Sequence, residues 1–188
     1  YFEGEKVKCR SVPFVHKEID YLNSLGIRKI FFTDNVFNYP LEYSLEIIDI
    51  LKKYDLEWVA FFRANLLNRD YIKALLESKC KIVLISAESG SQAVHNYLNT
   101  EISVDSILNI LDICSSLNRN KVAVIFSFMI GIPKEKLTDV FMTFTLIIRI
   151  LLKKCFIHIS PCMHGLKGGK NVSLKSPPVN KKIAYPIY

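Results

Sequence analysis

The chain has 188 residues, of which 50% are hydrophobic and 23% are charged, with a formal net charge of +7. This composition predicts one folded domain with a substantial core and argues against a disordered chain. Five lysines and no acidic residue lie in the segment Met163–Tyr188, which leaves only +2 for the first 162 residues. Because a nucleic-acid surface needs basic residues gathered on a folded face, we expect a solvated basic tail and no specific nucleic-acid partner.

The start of the chain shows no secretory signal. Residues 1–25 carry scattered charges and no apolar central segment, and the first residue is Tyr1. We therefore expect a part of a longer cytoplasmic protein. The five cysteines are odd in number and widely spaced, which favours free thiols in a reducing compartment. The closest two, Cys155 and Cys162, have six residues between them, a spacing that matches no common zinc or iron–sulfur site.

Helices and strands are predicted to alternate through the first half of the chain. The apolar spacing over Val15–Leu22 predicts a helix, and Gly26 supplies its C-terminal cap. A continuous apolar run at Arg28–Thr33 predicts the first strand. Apolar residues then return at helical spacing over Leu41–Leu51, and Glu57–Phe62 is the next strand.

The alternation continues through the second half. A short helix is predicted at Ile72–Leu76, a strand at Lys81–Ser86, a helix at Val104–Cys114 and a strand at Lys121–Met129. The strand segments are rich in Ile, Val and Phe and nearly continuous in hydrophobicity. That pattern is typical of strands that are buried on both faces.

The segment Val140–Leu152 is strongly apolar, but its 13 residues are too few to cross a bilayer and include Arg149. We expect no membrane span here and interpret the segment as the buried face of a helix that Pro133 opens. Phe156–Ser160 is the last predicted strand. After Pro161, glycine, lysine, serine and proline dominate, so little regular structure is expected.

Strand–helix alternation predicts an α/β fold with parallel strands joined by right-handed crossovers. Periodicity alone leaves open whether the sheet is an open doubly wound sheet or a barrel. In either case functional groups collect at the carboxyl ends of the strands. Polar residues follow four of the predicted strands, so we expect a shared pocket there. These residues are Thr33-Asp34-Asn35, Arg63-Ala64-Asn65, Glu88-Ser89-Gly90-Ser91, and Ser127 ahead of Gly131-Ile132-Pro133.

The most informative of these loops follows the third strand. Gly90 is expected to let the backbone turn tightly, and Ser91 to cap the helix that follows. Glu88 then lies at the end of the strand, where its two acceptor oxygens suit a ribose diol. A capping loop with an exposed glutamate explains the same residues, and the sequence leaves that alternative open.

Four segments of the sequence read IRKIFFTDNVFN, FFRANLLNRDYIKALLESKC, ISAESGSQAVHNYLNTEIS and FSFMIGIPKE. Their order and approximate spacing resemble radical S-adenosylmethionine (SAM) proteins, and the resemblance covers about residues 5–155. The branch that they resemble most often carries a cobalamin-binding domain upstream. The four segments together are far more specific than any one of them.

The resemblance implies a partial parallel (β/α)6 barrel of the TIM type that holds SAM against a 4Fe-4S cluster. The five predicted strands are similar to the second to sixth strands of that barrel, so the first strand is missing. Residues 1–161 are then a barrel fragment, and residues 162–188 form a basic, irregular tail.

The resemblance also implies a set of cofactor-binding residues. Asp34 and Asn35 occupy the loop that meets the methionyl amino group of SAM in the family. Arg63 stands where relatives place polar groups near the cofactor. Glu88 and Ser89 match the motif that contacts the ribose or the methionyl part of SAM.

The resemblance also concerns two positions in and after the fourth predicted strand. The segment Gly131-Ile132-Pro133 is similar to the motif whose backbone lies beside the adenine. Ser127 stands where some relatives have an acidic residue, which makes this position a departure from the pattern. No catalytic residue is assigned by the resemblance.

The largest departure concerns the cluster. The family holds it with the motif C-x3-C-x2-C, and that spacing is absent from the 188 residues. Cys9 falls in a segment that resembles the region just after the cluster loop, so no metal ligand is expected among the residues present. SAM and the cluster are the cofactors that the family implies, and cobalamin is left open through an upstream domain.

Two functions remain open at this point. The first is the core of a radical SAM enzyme, whose family reaction is reductive cleavage of SAM to start radical chemistry on an unknown small molecule. The second is a truncated, non-catalytic remnant or an α/β binding module without a cluster. We expect the chain alone to be inactive because the cluster cysteines are absent.

Overall fold

The computed structural model describes residues 8–119 and 122–162. Within them, five parallel strands form one sheet in the order β1-β2-β3-β4-β5. The strands are β1 (Lys29–Phe31), β2 (Glu57–Phe62), β3 (Cys80–Glu88), β4 (Ala123–Ile130) and β5 (Phe156–Pro161). Because the strand order never reverses, right-handed crossovers place every connecting helix on the same face of the sheet. This is the topology of a partial TIM-type barrel, not of a doubly wound sheet, and it confirms the expected fold class.

Six α-helices accompany the sheet in the described residues. They are α1 (Val12–Ser24), α2 (Leu41–Leu51), α3 (Arg69–Glu77), α4 (Gln92–Leu98), α5 (Val104–Arg119) and α6 (Leu137–Leu152). A single 3-10 turn at Ala64–Leu66 follows β2. Among these described helices, none has the length and apolar character that crossing a membrane requires.

The core lies between the sheet and these helices. Trp58, Ala60 and Phe62 of β2 are buried against them, whereas Val59 and Phe61 on the opposite face are only half-buried. The alternation continues in β3 and β4. The expectation that the strands are buried on both faces was therefore wrong, because the concave face of the sheet is only partly covered by the described residues.

An aromatic cluster closes the core beside β2. The ring of Phe37 packs on Trp58 at 5.0 Å between centroids and on Phe62 at 5.7 Å. The indole N–H of Trp58 donates a 2.7 Å hydrogen bond to the carbonyl of Ser78, so its one polar atom is satisfied in the core. The cluster fixes the loop after β1, which carries Phe37, against the strand that leads to Arg63.

Helix α6 begins later than the sequence predicted. Pro133 lies in a turn in which the N–H of Glu135 donates to the carbonyl of Ile132 at 3.0 Å, and the helix starts at Leu137. The carboxylate of Asp139 accepts a 2.8 Å hydrogen bond from the N–H of Lys136. An acidic side chain in the first turn thus sets the start of α6, which the proline was expected to set.

Two further boundaries differ from the prediction. Strand β1 has only three residues, although a six-residue run was predicted, because Phe32 leaves the ladder after its N–H bonds the carbonyl of Val59. Strand β3 starts one residue earlier than predicted and extends through Glu88. The predicted irregular tail, beyond Cys162, lies outside the described residues.

Candidate functional site

A cleft of about 430 Å³ opens at the carboxyl ends of β2 and β3. Its volume lies in the range of small-molecule binding sites. The side chains that line it combine a cation, two carboxylates, two amides and an aromatic floor. They are Asn35, Val36, Phe61, Phe62, Arg63, Ser86, Glu88, Asn99, Thr100, Glu101 and Ile102.

Arg63 is held on the β2 side of the cleft. Its backbone is bonded in both directions by the buried Asn38, which accepts the N–H of Arg63 at 2.8 Å and donates to its carbonyl at 3.0 Å. The guanidinium donates to the Glu101 carboxylate at 2.9 Å and lies 6.0 Å from the ring of Tyr39. Because Glu101 is largely exposed, that ion pair contributes little to stability and can yield to a ligand.

Glu88 forms the β3 side of the cleft. Its φ of 57° is in the left-handed region, which costs a residue with a Cβ about 1–2 kcal/mol. The register between β3 and β4 shifts between Ser86 and Glu88, which is where the strand departs from regular pairing. Burial raises the pKa of the Glu88 carboxyl above its ordinary value. A strained backbone and a desolvated carboxylate at one residue are features that concentrate in functional sites.

The connection between α4 and α5 covers one wall of the cleft. Asn99 ends α4 in the left-handed conformation, with φ of 54°, which asparagine tolerates well. The side chain of Ile102 is buried and anchors the segment to the core. This anchoring brings Thr100 and Glu101 to the mouth of the cleft.

The loop after β3 is fastened to α6 by buried hydrogen bonds. The Thr143 hydroxyl accepts the N–H of Gly90 at 2.9 Å and lies 3.1 Å from the Ser89 hydroxyl. One turn earlier on α6, the Asp139 carboxylate accepts the Ser91 hydroxyl at 2.6 Å, and this bond is the main cause of its lowered pKa. Ser89 therefore faces α6 and does not line the cleft.

Gly90 and Ser91 act differently from what the sequence predicted. The left-handed residue of this loop is Glu88, not Gly90. A Cβ on Gly90 would lie 2.5 Å from the carbonyl oxygen of Met142, so glycine is needed here for close approach to the α6 backbone. Ser91 occupies the N-cap position of α4, but its hydroxyl bonds Asp139 and makes no capping bond.

His95 adds a second buried support to the loop. Its Nε2 lies 2.9 Å from the carbonyl of Ser89, and its Nδ1 lies 2.8 Å from the hydroxyl of Thr100. The imidazole is fully buried, and burial lowers its pKa. It therefore joins the loop after β3 to the wall formed by the α4–α5 connection, and it has a structural role.

Gly131 lies at the end of β4 with φ of 83°, and the space beside its Cα is open. The Glu135 carboxylate accepts its N–H at 3.0 Å and that of Ile132 at 3.3 Å. These bonds fix the backbone of the Gly131-Ile132-Pro133 segment. The N–H of Gly131 therefore already donates a hydrogen bond within the protein.

Ser127 lies on the concave face, in register with Ser86 of β3 on one side and His158 of β5 on the other. The residues one layer deeper, Leu84 and Ile125, are apolar. The concave face therefore changes from apolar to polar at this level. Ser127 belongs to the polar layer but does not line the cleft.

The two residues predicted after β1 fall at different places. Asn35 lines the cleft, whereas Asp34 is exposed and does not line it. Asp34 lies close enough to Tyr43 for its charge to help raise the pKa of that phenol, after the larger effect of burial and that of Cys9. Both residues lie at the same edge of the sheet as Glu88.

Sequence reasoning missed three residues that organise the site. Asn38 is a buried polar residue in the loop after β1, where only Asp34 and Asn35 were predicted to belong to the site. Thr143 and Asp139 interrupt the apolar pattern of α6 four residues apart, which places them on one helix face. That i, i+4 polar pair inside an apolar segment was the available signal.

Among residues 8–119 and 122–162, no group of three histidine, cysteine or acidic side chains is arranged to hold a metal ion. Cys9 is exposed at the start of the described chain, and Cys80 is buried with its pKa raised to about 12 by desolvation. Cys114 and Cys155 are both buried, and their thiols lie within hydrogen-bond contact of each other.

The fold and the cleft together define a class of protein: a parallel partial barrel with a charged pocket at the carboxyl edge of its strands. The model of the radical SAM superfamily matches residues 4–147, which is most of the chain. The chain therefore belongs to the radical SAM superfamily. The resemblance noted in the sequence is confirmed.

Solved structures give the same fold at low identity. The radical SAM methyltransferase TsrM from Kitasatospora setae, solved with cobalamin and a 4Fe-4S cluster, has a TM-score of 0.69 at 12% identity, covering 81% of this chain and 29% of its own. Coproporphyrinogen III oxidase from Escherichia coli has a TM-score of 0.65 at 12% identity, covering 85% and 40%. The cobalamin-dependent SAM radical enzyme OxsB has a TM-score of 0.58 at 16% identity, covering 76% and 23%.

The chain thus spans less than half the length of these three proteins. At such identities the likeness concerns the fold alone. A search of curated proteins gave no significant match.

Proposed function

We propose that this chain is the SAM-binding core of a radical SAM enzyme. The observation that carries the proposal is the cleft in which Arg63, Glu88 and Asn35 meet at the carboxyl edge of the sheet. SAM carries an amino group, a carboxylate, a sulfonium and a ribose diol. A pocket for it needs donors and acceptors of both charges, and this cleft supplies them.

Individual roles follow from the chemistry of each side chain. Glu88 offers two acceptor oxygens to the ribose hydroxyls, and its negative charge suits the sulfonium. Arg63 offers a planar pair of donors to the carboxylate of SAM once its exposed partner Glu101 yields. Asn35 provides an acceptor for the amino group, with Asp34 as a nearby negative charge. The backbone of Gly131 is proposed to lie beside the adenine.

Ser89 and Ser127 take indirect roles in this proposal. Ser89 positions Glu88 through its bond to Thr143 and does not itself bind SAM. Ser127 lies deeper in the concave face and faces the side on which a substrate would lie. His158, its neighbour in register, belongs to the same polar layer.

The reaction of the whole protein is a further proposal. In the family reaction, one electron from a reduced 4Fe-4S cluster would cleave SAM, and the organic radical so formed would abstract hydrogen from a substrate. The 188 residues contain no C-x3-C-x2-C motif, so the cluster does not fit the residues present and we derive no step through it. The residues of this chain would bind SAM, orient it and keep water away from it. A longer cytoplasmic protein with an upstream cobalamin-binding domain is the expected context.

Isothermal titration calorimetry with SAM and with S-adenosylhomocysteine tests the cleft. We expect binding by the 188-residue chain and a loss of affinity of about tenfold or more in Glu88→Gln, since a buried hydrogen bond to a charged group contributes about 1.5–3 kcal/mol. Glu46→Gln, an exposed position on α2, is the matched control and should bind as the parent does. Absence of binding in the parent chain, or equal affinity in Glu88→Gln, would contradict the proposal.

The second candidate is a binding module without a cluster, and the missing cysteine motif favours it for the chain by itself. Cys9, Cys80, Cys114, Cys155 and Cys162 lie on separate elements or loops. We therefore expect no cluster after anaerobic reconstitution with iron and sulfide. Iron and sulfide retained near stoichiometry after gel filtration would instead favour the enzyme core as a self-sufficient unit.

A further inference from the structure

Helix α6 carries a second apolar face that points away from the sheet. Its large apolar side chains there are exposed to an extent that ranges from 47% for Phe144 to 78% for Leu137. Five of them follow the spacing 4-3-4-3 along the helix, the repeat of a helix-packing seam. The seam residues are Leu137, Phe141, Phe144, Ile148 and Leu151, and Met142 and Leu152 flank them.

This outer seam is distinct from the face that holds α6 to the barrel. The inner face consists of Asp139, Thr143, Leu146, Ile147 and Ile150, all of which are buried. The centres of the inner and outer sets lie about 140° apart around the helix axis at 100° per residue. The outer seam therefore has no packing role within the described residues.

From this seam we infer that a second copy of the chain packs here, with its α6 antiparallel to the first. Roughly half or more of seven large side chains, at about 200 Å² each, leaves on the order of 800 Å² of apolar surface per copy. A standard stable interface buries about that area on each partner. The seam and its two flanking side chains together thus supply the surface that a dimer requires.

Charge favours pairing of two copies in the antiparallel direction. Arg149 is the one charged side chain on the outer face of α6, so no acidic or basic belt opposes self-association. In an antiparallel pair centred on Phe144, the two Arg149 side chains lie about 15 Å apart, beyond the screening length of about 8 Å. A parallel pair would place them side by side, and it would align the two helix dipoles unfavourably.

The centre of symmetry makes a specific prediction. Phe144 packs on its own copy at the two-fold axis, whereas Leu137 faces Leu151 of the partner helix. Two Leu137 residues lie about 21 Å apart in this arrangement, far beyond the Cα separation of about 7 Å that a disulfide permits. Single cysteines along the seam therefore distinguish antiparallel from parallel pairing.

Cysteine cross-linking of the 188-residue chain tests the arrangement in a Cys9→Ser, Cys162→Ser background. On mild oxidation Phe144→Cys should give a covalent dimer, and Leu137→Cys alone should not. A mixture of the Leu137→Cys and Leu151→Cys chains should give one. Cross-linking of Leu137→Cys to itself, or none by Phe144→Cys, would overturn the antiparallel pair.

Sedimentation velocity supplies the second measurement. We expect a dimer for the parent chain and at least a tenfold weaker association in the double variant Phe141→Glu, Ile148→Glu. Phe14→Glu is the control, since Phe14 on α1 is 54% exposed and lies outside the seam. A parent chain that is monomeric at 100 µM would overturn the inference. So would a double variant, folded by circular dichroism, that still dimerises, or a parent that binds anionic phospholipid vesicles through the seam as a monomer.

Discussion

The two faces of α6 invert the usual arrangement of polar and apolar residues. The inner face buries Asp139 and Thr143 among its apolar residues, while the outer face exposes Leu137, Phe141 and Ile148. The two faces therefore have different packing roles. The inner face holds the loop that carries Glu88, and that loop needs hydrogen bonds more than apolar contact. The outer face exposes an apolar seam of the kind that packs against another helix.

Gly90→Ala should disrupt the contact between the loop after β3 and the inner face of α6. We expect it to lower the free energy of unfolding more than any other variant. Its Cβ would lie 2.5 Å from the Met142 carbonyl oxygen and 2.6 Å from the Thr143 Cα, both backbone atoms that cannot rotate away. Overpacking of this kind costs about 3 kcal/mol or more. Urea unfolding followed by circular dichroism measures it. Glu46→Ala, at an exposed position on α2, is the control. Gly26→Ala would not serve, because Gly26 has a left-handed backbone that alanine adopts poorly. A change below 1 kcal/mol in Gly90→Ala would contradict the contact.

Thr143→Val tests the hydrogen bonds without changing the shape of the side chain. It leaves the Gly90 N–H and the Ser89 hydroxyl without this buried partner, which should cost about 2 kcal/mol. Thr145→Val on the exposed side of the same helix removes a hydroxyl that bonds only the Phe141 carbonyl. It should change stability by less than about 0.5 kcal/mol.

Thr143→Ser completes the comparison because it restores the hydroxyl but not the methyl group. We expect it to recover most of the stability and, in hydrogen exchange, the protection of the Gly90 amide. If Thr143→Val and Thr143→Ser lose equal stability, the methyl group matters and the hydrogen bonds do not.

His95, which supports the loop after β3, should make the stability of the folded chain depend on pH. Burial lowers its pKa in the folded chain, so as the pH falls below about 6.5 the unfolded chain takes up the proton first. Stability should therefore decline from pH 7 towards pH 5, and His95→Gln should flatten this part of the curve. His158→Gln, at an exposed histidine on β5, is the control and should leave the slope unchanged. A His95→Gln variant whose stability changes with pH as steeply as that of the parent chain would contradict the role of His95.

The sequence predicted the strands well because continuous apolar runs are a strong signal. It predicted all five strands in order. The end of β1 depended on the hydrogen bond of Phe32 to Val59 of the neighbouring strand, which no local pattern encodes. The start of α6 depended on a local bond from the Lys136 N–H to the Asp139 carboxylate, which the expectation from Pro133 left out. The distinction between barrel and doubly wound sheet depended on strand order, which periodicity does not carry.

The candidate site was predictable only in part, at the residues that lie at the ends of strands. Arg63 directly follows β2 and Glu88 is the last residue of β3, so both lie where the parallel topology requires. Ser89 follows the same strand, yet its side chain turns towards α6 because Thr143 offers a buried partner. Asn38 could not be singled out, since its burial arises from long-range contact with Arg63.

Glu88→Gly is the smallest of the expected effects and has the opposite sign. Glycine adopts the φ of 57° without steric cost and removes a desolvated carboxyl, so the chain should become more stable by about 0.5–1 kcal/mol. Its affinity for SAM should fall. Glu88→Ala removes the carboxyl but keeps the Cβ, and it should gain less stability than Glu88→Gly. A Glu88→Gly variant that is less stable than Glu88→Ala by about 0.4–1 kcal/mol, the cost of glycine flexibility in the unfolded chain, would show that the backbone of Glu88 is unstrained.

Chemical-shift mapping of SAM binding by NMR tests whether SAM binds at the carboxyl edge of the sheet, and it reports on the cleft and on α6 in one titration. We expect shifts at the amides of Asn35, Arg63, Glu88 and Thr100 around the cleft. We expect none at Phe144 on the outer face of α6. Shifts confined to the opposite edge of the sheet, near Lys79, or no saturable shift at the cleft, would contradict the assignment of this edge as the SAM site.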